Sequence, residues 1–108
     1  MSFDKSLDSE IKNILSQGPI AGLAGGEELM SSTGDTFDVK DPGSGEKLAE
    51  VHNLQAEDMD RAVELAGQAF ENAEWAGLPV NERCVYLHRL ADEVENRKPL
   101  ISHLESMD

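Results

Sequence analysis

The spacing of apolar positions changes period along the chain, and each change predicts an element. Over residues 6–17, SLDSEIKNILSQ, Leu7, Ile11, Ile14 and Leu15 recur at three- and four-residue steps. That spacing gathers side chains on one face of a helix, and Gly18-Pro19 supplies the stop. The small-residue stretch PIAGLAGG at 19–26 reads as a connection, and a first strand is predicted from Leu23 to Met30. Thr36-Phe37-Asp38-Val39 alternates polar and apolar as a half-buried strand does. Asp41-Pro42-Gly43-Ser44-Gly45 then punctuates the chain, and Glu46 to Val51 extends again, which predicts a β-hairpin.

From Ala56 the period becomes helical: Met59, Ala62, Val63, Ala66, Ala69, Phe70 and Ala73 share one face. Glu57, Asp58 and Asp60 crowd the first turn, where carboxylates complement the helix dipole, and Asn53 or Gln55 is left as a poor cap. Trp75 to Leu78 breaks the pattern, and Pro79 suits the start of a second helix because its missing N–H would be unpaired there anyway. Cys84, Leu87, Leu90, Ala91 and Val94 form the second stripe. A stop or bend is predicted at Asn96 to Pro99, with a short helix through Leu100, Ile101, Leu104 and Met107. The expected organisation is an N-terminal helix and linker over 1–22, a hairpin segment over 23–53 and a helical segment over 54–108.

Composition narrows the partners. Twenty-two Asp and Glu against nine Lys and Arg give a formal net charge of −13 over 108 residues. Such a field repels phosphate backbones and anionic lipid heads, so neither nucleic acid nor a membrane surface is expected as a partner. No apolar run reaches the roughly 18 residues of a membrane span, and MSFDKSLDSE has neither a basic start nor an apolar signal core, so a cytoplasmic location is the expectation. With one cysteine, Cys84, the chain forms no internal disulfide. A chain this short buries only ~65% of its unfolded surface, leaving a thin core.

Spacing alone marks no active site. Gly43-Ser44-Gly45 could cradle a phosphate, but no third glycine opens a helix after it, so a plain turn is the reading. Cys84 has His88 one helical turn away, yet it sits on an apolar stripe, where a free cysteine is usually an inert small hydrophobe. His52, His88 and His103 lack the helical pairing common in zinc sites. Phe70 with Trp75 could stack a ligand, though an aromatic pair at a helix end more often seals a core edge.

The order of these features resembles the N-terminal portion of the NAD(P)-dependent aldehyde dehydrogenase superfamily, from about Leu23 to Asp108. The residues that carry the likeness are Gly26-Glu27, Thr36-Phe37-Asp38-Val39 with Pro42 and Gly45-Glu46, and Glu57-Asp58-Met59-Asp60-Arg61-Ala62-Val63. Ala66, Ala69-Phe70, Trp75, Pro79, Arg83, Leu87, Leu90-Ala91-Asp92 and Leu104-Glu105-Ser106-Met107-Asp108 continue it. Glu28, Asp41 and Gln55 depart from it, standing where tryptophan, asparagine and a Ser or Thr cap are usual.

The resemblance implies an α+β fragment, a β-hairpin followed by two to three amphipathic helices, as the start of a Rossmann-type α/β fold. It implies oxidation of an aldehyde substrate to an acid with NAD or NADP in the full-length protein, which would form a homo-oligomer. In that family a cysteine attacks the aldehyde, a glutamate activates water and an asparagine helps hold the oxyanion, all in later segments. Cys84 matches a helix position and not that nucleophile, so no catalytic or cofactor-binding residue carries over and the segment alone is expected to be inactive. One family site touches this stretch: by matching, the backbone carbonyls of Val39 and Lys40 and the Asp108 carboxylate would hold K+ or Na+. The helix stripes would normally cover a Rossmann sheet, and without one they must face each other or another copy. A different class of reading keeps the ancestry without catalysis: a small acidic protein-interaction module that docks a partner through its helix pair.

Overall fold

The computed structural model describes residues 5–108; residues 1–4, with which the expected 1–22 segment and the sequence MSFDKSLDSE begin, lie outside the described residues. Helix α1 (Lys5–Leu15) follows the first predicted stripe and gives way to a turn in which Ser16 and Gln17 donate back to Lys12 and Ile14. Ile11, 2% exposed, is buried, and α1 packs on the last helix and on the hairpin.

The strand predicted from Leu23 to Met30 is instead two strands, β1 (Gly22–Ala24) and β2 (Glu27–Leu29), paired antiparallel with Ala24 opposite Glu27. Gly25 and Gly26 sit between them with φ of 59° and 79°. Positive φ at both central residues is what a tight I′-type hairpin turn demands, and two glycines meet it without a Cβ clash. The pair is therefore a turn and not a loose connection.

The second hairpin forms as expected, from β3 (Thr36–Lys40) and β4 (Lys47–His52). The register runs Thr36–His52 to Val39–Ala49 and then slips by a bulge before Lys40–Lys47. Ile20 adds a parallel bridge to Val51 on the other edge of β4. The polar face is tied across the strands by Lys47, whose ammonium reaches Asp38 at 2.8 Å and Glu50 at 2.9 Å.

Helix α2 (Ala56–Glu71) stops two residues short of the predicted Ala73. There the Asn72 side chain accepts the Glu74 N–H at 3.1 Å and starts the one-turn helix α3 (Ala73–Ala76), so Trp75 lies within a helical turn and not in a break. Asn is a strong N-cap residue, which explains the interruption. Helix α4 (Val80–Asn96) begins just after Pro79, and α5 (Lys98–Met107) follows after Arg97 with Pro99 in its first turn.

The core is small: among the described residues, Ile11, Leu29, Ala49, Leu65 and Met107 are its buried apolar residues. Helix α2 turns Leu65 toward the first hairpin, where a Cβ on Gly25 would stand 3.2 Å from it. The predicted α2 stripe lies beside that contact and stays open, with Val63 68% and Phe70 86% exposed. Along α4 no residue is buried, and Leu87, Leu90 and Val94 are all exposed. The two stripes therefore do not face each other. Cys84, expected in a packed core, is exposed with them because nothing lies over that face. Phe70 does not pair with Trp75; Trp75 meets Tyr86 edge-on at 6.0 Å, and Arg89 lies 5.9 Å from the Tyr86 ring.

Candidate functional site

The expected cation ligands start from β3. Asn53 N–H donates to the Asp35 carbonyl at 2.8 Å, which fixes the alternation of bonded and non-bonded pairs along the hairpin. Val39 then falls at a bonded position opposite Ala49, with its carbonyl turned toward β4. Asp41 is also bonded to the facing strand, donating to the Glu46 carbonyl at 2.9 Å, so Lys40 between them directs its carbonyl off the ladder. Backbone and carboxylate oxygens are the donor type that K+ and Na+ favour, and a carbonyl already accepting one hydrogen bond keeps a second lone pair. Asp108 is exposed at the end of α5, where its N–H donates to the Leu104 carbonyl at 3.3 Å. Among the described residues no hydrogen bond or ion pair joins its carboxylate to β3.

Next to these residues, α1, α5 and the 41–47 turn enclose an open cleft of about 580 Å³. Leu7, Leu48 and Met107 line it with apolar surface, and Asp8, Lys12 and Glu46 charge it. Asp8 bridges the two helices: Lys12 lies 2.9 Å from one carboxylate oxygen, and His103 Nε2 lies 4.0 Å from the other. Lys12 is held above the usual lysine pKa by its hydrogen bond and charge interaction with Asp8. The three histidines stay on separate elements. Among the described residues, no group of three or more His, Cys, Asp or Glu is placed to hold a metal ion.

The Asp41-Pro42-Gly43-Ser44-Gly45 turn excludes the phosphate-loop reading on its own chemistry. The Asp41 carboxylate accepts from the Gly43 N–H at 2.7 Å and from the Ser44 N–H at 3.2 Å. The donors that would greet an anion already serve a fixed negative charge, and Gly45 closes the turn with φ of 75°.

One residue escaped the sequence reading, which gave Asp58 no role beyond that of a first-turn carboxylate complementing the helix dipole. Its carboxylate is buried, accepting the Gln55 N–H at 2.7 Å and the Ser32 N–H at 3.1 and 3.2 Å. The first bond caps the start of α2 by reaching back to the Gln55 N–H, and the second ties α2 to the turn after β2. These hydrogen bonds, that from Gln55 foremost, hold its carboxyl below the usual aspartate pKa. Its place as the third helical residue was the available signal. On the other side of that turn the Ser31 N–H donates to His52 Nδ1 at 3.3 Å. The Asp58 cluster thus joins two hairpins and a helix; it is a structural junction rather than a reactive one.

Among the described residues the arrangement brings together no nucleophile, base and oxyanion donor. Cys84 lies on the open face of α4, away from the junction. Among the described residues no helix is long and apolar enough to cross a membrane.

The sequence profile described as "Aldehyde dehydrogenase family" matches residues 29–108. The chain is 38% identical over 86 residues to "Benzaldehyde dehydrogenase, mitochondrial" of Antirrhinum majus, which covers 80% of this chain and 16% of that protein. It is 33% identical over 102 residues to "Cytosolic 10-formyltetrahydrofolate dehydrogenase" of Xenopus tropicalis, covering 94% of this chain and 11% of the relative. The fold superposes on the NAD+ complex of aldehyde dehydrogenase from Bacillus cereus with a TM-score of 0.83 and 30% identity, over 100% of this chain and 21% of that one. The chain spans 11–17% of the length of the curated relatives it matches.

Proposed function

Because the chain belongs to the aldehyde dehydrogenase family, we propose that it is the opening segment of an enzyme that oxidises an aldehyde to a carboxylic acid. In the full-length enzyme NAD+ or NADP+ takes the hydride and water supplies the oxygen. The carrying observation is the exposure of Val63, Phe70, Leu87, Leu90 and Val94 in a chain whose backbone follows a solved aldehyde dehydrogenase along its whole length. Apolar helix faces of this kind are built to lie on a sheet. The segment contributes cover and no catalytic or cofactor-binding residue, and the full protein is a cytoplasmic homo-oligomer in this reading.

The test is to follow the coding sequence past Asp108, express the whole product and assay it with an aldehyde panel and both nicotinamide cofactors. Aldehyde-dependent cofactor reduction by the full product, and none by residues 1–108, is the expected result. A natural stop codon after Asp108 would transfer the reading to its rival, the non-catalytic acidic interaction module. The rival draws on the net charge of −13 and the same open faces.

The same reading includes the K+ or Na+ site at the Val39 and Lys40 carbonyls and the Asp108 carboxylate. Its support is the Lys40 carbonyl directed off the ladder. In the full-length protein, replacing choline chloride by KCl or NaCl at equal ionic strength should raise the melting temperature, and Asp108→Asn should reduce that rise. An equal response in both proteins removes Asp108 from the site.

A further inference from the structure

We draw no further inference here: the strongest candidate, the open apolar face that Val80, Leu87, Leu90 and Val94 present along α4, already serves the proposed function, and nothing in the structure shows what else covers it.

Discussion

Asp58 shows how much one carboxylate does in a chain with so few buried groups. Its oxygens accept N–H donors from Gln55, at the start of α2, and from Ser32, in the turn after β2. Loss of the side chain would orphan both donors at once, and unpaired donors in a junction are costly. Asp58→Ala should therefore lower the melting temperature by several degrees, with Asp58→Asn intermediate because an amide oxygen still accepts. Its folded pKa lies below the ordinary aspartate value, with the Gln55 hydrogen bond as the main cause. The sign follows from linkage: stability from this group is present above the unfolded pKa and lost as pH falls through the folded one. Thermal melts below about pH 4 should show a shallower acid loss in Asp58→Ala than in the parent. Parallel curves would mean that Asp58 titrates alike in both states. Glu50 adds to the same acid window, its carboxyl lowered first by the Thr36 hydroxyl and then by Lys47.

Among the elements, the first hairpin depends on two glycines that differ in one respect. Both have positive φ, but a Cβ on Gly26 meets nothing within 4 Å, whereas one on Gly25 meets Leu65 at 3.2 Å. Gly26→Ala should cost only the left-handed strain, about 1–2 kcal/mol. Gly25→Ala should cost more, because the same strain is joined by a collision with one of the few core side chains. Denaturant titration of the two variants measures the difference, and equal losses would show that Leu65 moves aside freely. This hairpin was also where the sequence was hardest to read. Strands of three residues are too short for an alternating pattern to register, and Gly-Gly serves a linker as well as a turn. The β3–β4 hairpin was legible because Thr36 to Val39 alternates and the Asp41–Gly45 run has turn chemistry of its own. Helices α2 and α4 were legible from period alone, but period did not say which face is covered. On α2 the covered side carries Asp58 and Leu65, next to the richer stripe that holds Phe70. For Val39, Lys40 and Asp108, backbone ligands leave no side-chain signature, so only the family resemblance could point to them.

At the scale of the molecule, the chain is too open for its size. A compact domain of this length has a radius of gyration of about 13 Å, whereas this one measures 17.5 Å, with extents of 47 × 37 × 19 Å. Its accessible surface is 8323 Å², against about 5,900 Å² for a folded monomer of its mass. Exposed apolar side chains on α2, α4 and α5, such as Phe70, Leu90 and Leu104, contribute to that excess. Large contiguous apolar patches are uncommon on soluble monomers, and apolar helix faces left uncovered drive association or dye binding. The net charge of −13 opposes association, but only over about a Debye length, so salt should weaken the repulsion and leave the hydrophobic attraction. Residues 1–108 in isolation should therefore sediment as a mixture whose average mass rises with protein concentration and with salt, and should enhance the fluorescence of an apolar-surface dye. Replacing Phe70 and Leu90 together by serine should reduce both signals while leaving helix content by circular dichroism unchanged, since both side chains point away from the core. A sharp monomer boundary at all concentrations, with no dye response, would mean that the faces of α2 and α4 close on themselves in solution and need no further chain to cover them.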